Sequence, residues 1–173
     1  EMLSVRIYGD GIDGSTDDTA NILEQYPAIR TITHPVNKGK GTALKHGLSQ
    51  AKKEGFRYAI TIDSDGQHFA SDIPCFIEAI EKEPDTLLVG ARNLASDNMP
   101  GKNTFANKFS NFWFRLETGL KLEDTQSGYR LYPLRKMDVQ SCWYTAKYEF
   151  ELEAIVFAAW GDVVVKNIPI HVY

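Results

Sequence analysis

Apolar runs with strand character alternate with segments of helical period along the first half of the chain. Val5 to Tyr8 reads as a strand, and the turn residues "DGIDGSTDD" follow it. A short helix then carries Ile22, Leu23 and Tyr26 on its inner side, and a second strand runs near Ile29 to Thr33. From Gly41 to Glu54 the positions Ala43, Leu44, Gly47, Leu48 and Ala51 line one helical face, with Gly55 placed as a C-terminal cap. Arg57 to Asp63 is apolar enough for a central strand covered on both faces. Ser71 or Asp72 caps the next helix, which has Pro74 in its first turn, turns Ile73, Phe76, Ile77 and Ile80 inward, and stops at Pro84. "TLLVGAR" is a further buried strand.

Beyond residue 92 the pattern changes. Phe105, Phe109, Phe112 and Leu116 mark a long amphipathic helix, and the irregular "KLEDTQSGYRLYP" comes after it. "KYEFELEAIVFAAWG" reads as a helix closed by Gly161, and "DVVVKNIPIHVY" as a last strand broken by Pro169. Strands and helices in this alternation predict an α/β fold with a mostly parallel sheet flanked by helices. No repeat or low-complexity linker divides residues 1–173, so a single domain is expected.

Composition narrows the function classes. The net charge is −4 and the basic residues are scattered, which disfavours nucleic acid as a partner. Cys75 and Cys142 have neither CxxC spacing nor a histidine at ligand spacing; they read as core thiols of a protein in a reducing, cytoplasmic setting. The longest apolar run, residues 154–160, is far shorter than the roughly 20 residues that span a bilayer.

The sharpest chemical signal is "YAITIDSDGQHF", where a strand ends in two carboxylates one residue apart. In open α/β sheets ligands bind beyond the carboxyl ends of the strands. Asp63 and Asp65 there would repel each other unless a cation offset their charge. Hard oxygen ligands suit Mg²⁺ or Mn²⁺, with substrate phosphates completing the shell and Gln67 and His68 within reach. The same Asp-Ser-Asp-Gly also fits a polar turn bonded to its own backbone. "DGSTDDT" fits a turn and capped helix. "NKGKGTALKHG" places Gly39 and Gly41, with Lys38 and Lys40, at a helix N-terminus suited to phosphate. Glu149, Glu151 and Glu153 read as a solvated face from which one could reach a cleft, and the stripe from Phe105 to Trp113 as core or a lipid-facing surface. For Arg130, pairing with Asp124 across the same loop competes with a binding role.

Taken in order, "DGSTDDT", "NKGKGTALKHG", "TIDSDGQH", "GARN", "DTQSGYRLY" and "EFELE…NIPIHVY" resemble the family 2 glycosyltransferases, inverting enzymes of the GT-A fold that use nucleotide sugars. The resemblance covers essentially the whole chain. It is strongest to the branch of dolichyl-phosphate mannose synthase and the polyprenyl-phosphate glycosyltransferases. It implies a nucleotide-sugar site at Asp13, Lys38, Gly39, Asp63 and Ser64, and a Mg²⁺ or Mn²⁺ on Asp63, Asp65 and Gln67. It also implies acceptor contacts from Arg92, Lys102 and Arg130, with Asp124 and Arg92 as the catalytic pair. The implied partners are a UDP- or GDP-hexose and a polyprenyl phosphate or, alternatively, a saccharide hydroxyl, with the protein at the cytoplasmic face of a membrane in cell-envelope or polysaccharide synthesis. A non-catalytic nucleotide-sugar-binding module is the alternative of another class. The family's opening strand and helix, with their "PxYNE"-like segment, have no counterpart here, so this chain is expected to be truncated at the N-terminus and at the C-terminus.

Overall fold

A computed structural model describes residues 8–14, 17–92, 119, 122–137, 145–147 and 149–172. The expected amphipathic helix of residues 105–116, Lys102 and Cys142 lie outside the described residues.

Among the described residues six strands and four α-helices follow in chain order: β1 (Tyr8–Asp13), α1 (Thr19–Glu24), β2 (Arg30–His34), α2 (Lys40–Lys53), β3 (Tyr58–Thr61), α3 (Ile73–Lys82), β4 (Thr86–Arg92), β5 (Arg130–Pro133), α4 (Glu149–Trp160) and β6 (Val164–Ile170). β1 and β2 pair in parallel as a two-stranded sheet, and the other four form a sheet in the order β3-β5-β4-β6. β4 and β6 are parallel, whereas β5 runs antiparallel to both β3 and β4. β3, β4 and β6 therefore point the same way, and their carboxyl ends share one edge with the start of β5. The α/β fold matches the expectation, with one antiparallel strand set into it.

That insertion displaces β3. The sequence reads as a central strand over residues 57–63, but every residue of β3 is only half-buried and it flanks the described sheet. The inner place belongs to the short, wholly buried β5. Two apolar layers enclose the sheet. Alternation along β4 sends Leu87 and Val89 to one face, against Leu44 and Leu48 of α2 and Phe150, Ala154 and Ile155 of α4. It sends Leu88 to the other, against Phe76 and Ile80 of α3 and Tyr129.

Four local expectations need correction. β1 occupies residues read as a turn: it pairs with β2 through an irregularity between Gly9 and Ile12 and ends at Asp13, where Gly14 (φ +68°) breaks away. Ile22 of α1 and Tyr26 just beyond its end are about half exposed, because this six-residue helix packs on β1 and not into either core. Pro169 does not break β6, since the ladder continues to Ile170; among the described strands β6 borders β4 alone, and a residue without an N–H is tolerated on such an edge. Cys75 is exposed, not a core thiol.

Candidate active site

The carboxyl ends of the strands deliver the polar residues. Asp13 closes β1, and its carboxylate accepts the backbone N–H of Lys38 (2.8 Å) and of Gly39 (2.7 Å) and a contact from His34 Nδ1 (2.9 Å). Burial would raise the Asp13 pKa, but these bonds together hold it below the usual carboxylate range. The other ring nitrogen of His34 lies 2.6 Å from His46 Nδ1. The glycine loop thus spends two of its N–H groups on Asp13, where the sequence suggested they would face a phosphate directly. Gly39 (φ +90°) permits the turn, and a Cβ there would meet the carbonyl oxygen of Ala146 at 2.5 Å.

α2 begins at the next residue, so Lys40 turns toward β3. Its ammonium lies 2.7 Å from Asp63 Oδ1 and 2.9 Å from Glu151 Oε1. Burial would lower the lysine pKa, but bonding to the two carboxylates outweighs it and the group is held charged. The sequence pattern allowed one of three acids to reach the cleft without saying which, and the structure selects Glu151. It reads as one of three solvated acids, yet it is buried on α4 and reaches this cleft, while Glu149 is exposed and Glu153 accepts from the Thr145 amide and hydroxyl. Periodicity could not select it, because α4 is apolar on nearly all sides and shows no polar stripe.

Asp63 also leans on a glycine that the sequence did not single out. A Cβ on Gly128 would lie 2.4 Å from Asp63 Oδ2, and the Gly128 carbonyl accepts from Thr61 Oγ1 at 2.8 Å. The "SG" of the late loop therefore makes room for the first acid of Asp-Ser-Asp. Asp65, Ser64 and Gln67 are exposed beside it, and Asp65 Oδ1 accepts the Gln67 N–H at 3.0 Å across the turn made by Gly66 (φ +79°).

Arg92, at the end of β4, forms a two-pronged pair with Asp124: Nε to Oδ2 at 2.6 Å and Nη2 to Oδ1 at 3.1 Å. Asp124 is fully buried and also accepts the Gln126 N–H at 2.9 Å. Burial would push its pKa up, but the bonds and charge of Arg92 and the backbone N–H groups outweigh that and hold it low. Arg130, read either as an acceptor contact or as the partner of Asp124, is neither. It is fully buried, and its guanidinium donates to the carbonyls of Ser127 (2.7 Å), Thr125 (2.9 Å) and Glu151. It shapes the loop that seats Asp63 and Asp124.

The donor set fits a hard divalent cation. Two carboxylates and an amide carbonyl offer oxygen only, and Asp63 already holds a cation in the form of the Lys40 ammonium. Among the described residues no three His, Cys, Asp or Glu side chains are grouped so as to enclose a metal. Magnesium and manganese sites commonly use one or two carboxylates and leave the remaining positions to substrate phosphates. Among the same residues no helix is long and apolar enough to cross a membrane.

Comparisons with known proteins agree with this architecture. The family model described as "Glycosyl transferase family 2" matches residues 12–140. The chain is 30% identical over 178 aligned positions to the UDP-N-acetylglucosamine–dolichyl-phosphate N-acetylglucosaminyltransferase of Methanococcus voltae, covering 91% of this chain and 71% of that one. It is 25% identical to the polyprenol monophosphomannose synthase of Mycolicibacterium smegmatis, covering 91% and 63%. Among solved structures, glucosyl-3-phosphoglycerate synthase of Mycobacterium tuberculosis in complex with Mn²⁺ and UDP-glucose superposes with a TM-score of 0.65 at 19% identity, over 92% of this chain and 57% of that one. That likeness bears on the fold.

Proposed function

The chain belongs to glycosyl transferase family 2, and on that premise we propose that it catalyses metal-dependent, inverting transfer of a hexose from a nucleotide sugar to a polyprenyl phosphate. The observation that carries the choice of acceptor is the state of Asp124. A carboxylate that is buried, doubly bonded to Arg92 and held at low pKa is a weak base. A sugar hydroxyl needs a base. A phosphate monoester, with its second pKa near ~6, is already largely anionic at neutral pH and needs a cation to position it. Arg92 uses two of its nitrogens on Asp124 and keeps part of its side chain exposed, so its remaining N–H donors are available to an anionic acceptor. The names of the archaeal and mycobacterial relatives point the same way.

On the donor side, Asp13, Lys38 and Gly39 form the nucleotide end of the cleft. Asp63, Asp65 and Gln67 would hold Mg²⁺ or Mn²⁺, and Ser64 lies between the two acids. When bound, such an ion offsets the negative charge that develops on the departing diphosphate. The chain's own residues do the rest: Gly128 leaves the space that Asp63 needs, Arg130 fixes the loop, and Arg92 orients the acceptor. The setting that fits this chemistry is the cytoplasmic face of a membrane, with Lys102 a further acceptor contact.

The intact protein, supplied with UDP- and GDP-hexoses and Mn²⁺, tests the reading. Turnover is expected with a polyprenyl phosphate and not with saccharide acceptors. Asp124→Asn should leave the acid limb of the pH–rate profile in place, whereas its disappearance together with turnover on saccharides would establish Asp124 as a base and overturn the assignment.

A further inference from the structure

We propose that Lys40 is an internal counter-cation that occupies Asp63 until a divalent ion takes its place, and that Glu151 then retains the ammonium beside the donor's diphosphate. The inference rests on the metal reading of Asp63 given above. Its basis is the three-group arrangement in which one ammonium bridges an acid beyond β3 to a buried acid on α4. Two carboxylates brought to a common neighbour repel, and a partly enclosed cleft screens them poorly, so an internal cation is needed while the cleft holds no ligand.

A dication arriving at Asp63 meets that same ammonium at contact distance and must displace it. Glu151 is the reason the lysine need not leave. It sits on α4, away from the Asp-Ser-Asp turn, and its bond to Lys40 survives the loss of Asp63. The displaced ammonium then lies next to a metal and can be accommodated only if negative charge arrives with it, as a diphosphate does. Metal alone is disfavoured and metal with donor is favoured. Lys40 thereby couples the two and prevents a bare ion from filling the site. It is a positioning residue for the donor and a competitor for the metal.

Mn²⁺ binding to the intact protein without nucleotide, followed by the electron paramagnetic resonance of the free ion, reads this competition directly. Lys40→Met should tighten Mn²⁺ binding on the order of tenfold. Lys38→Met, which removes the same charge from the neighbouring loop without touching Asp63, should change it much less. Adding Asp63→Asn to Lys40→Met should abolish the gain. Equal affinities for the Lys40 and Lys38 variants would overturn the competition alone. Tight binding that survives Asp63→Asn would overturn the metal reading beneath it, and the inference with it. Thermal melting monitors folding, and Lys40→Gln serves the same comparison if the methionine variant does not fold.

Discussion

The contact between Gly128 and Asp63 is where a single methyl group decides most. A Cβ at residue 128 would meet both carboxylate oxygens, at 2.4 and 2.7 Å, and those are the far end of a side chain that can swing aside. Gly128→Ala should therefore keep stability within about 1 kcal/mol of the parent while it displaces Asp63; calorimetric titration with Mn²⁺ and UDP should show at least a tenfold loss of affinity. The pair Arg92–Asp124 makes a prediction in pH. In the parent, Asp124 titrates below its ordinary value of 3.8, so it stabilises the fold above that value and the contribution is lost as pH falls through its lowered pKa. In Arg92→Met the bonds and charge of the guanidinium are gone, the folded pKa of Asp124 moves up toward its unfolded value, and the stability lost on acidification shrinks. Urea midpoints between pH 3 and 6 should therefore fall less steeply with acid in the variant than in the parent, and the variant should lose about 3–5 kcal/mol near neutrality with the guanidinium that pairs its buried acid.

At the scale of elements, the start of α2 and the start of α4 must touch for the cleft to exist. Gly41 is where they do. A Cβ there would lie 2.7 Å from the Lys147 carbonyl oxygen, 2.7 Å from Phe150 Cβ and 2.9 Å from the Ala146 carbonyl carbon. Two of these are backbone atoms, which cannot rotate away. Gly41→Ala should cost about 1–3 kcal/mol in denaturant unfolding by overpacking, and it should weaken the Lys40–Glu151 contact as α4 is pushed off. The helical face of α2 was legible in the sequence: Ala43, Leu44, Leu48 and Ala51 are all buried. The faces of α1 and α4 were not. α1 exposes Ile22, which its pattern turned inward, and α4 buries one acid of three that its pattern could not tell apart.

Over the whole molecule, the site is assembled from segments far apart in the chain, so ligand and fold are thermodynamically linked. A ligand that binds the folded state alone stabilises it by about 2.7 kcal/mol at a hundredfold excess over its dissociation constant, and so raises the melting temperature. Mn²⁺ with UDP should stabilise the protein in a thermal melt, and EDTA should reverse the shift; stabilisation by UDP unaffected by EDTA would separate nucleotide binding from the proposed metal.

The order of strands and helices other than β5, which lies in a stretch that reads as irregular, the α/β class, the Asp-Ser-Asp turn and the family were already present in the linear pattern, because local periodicity, turn residues and motif order are properties of neighbouring positions. Which groups meet was decided by tertiary structure. Lys40 bridging Asp63 and Glu151, Arg92 closing on Asp124, Arg130 reaching the Glu151 carbonyl and β5 taking the inner place from β3 all join residues separated by tens of positions. Charge pairing acts through space, so a sequence can name the charged residues while only the packed sheet and its helices select their partners.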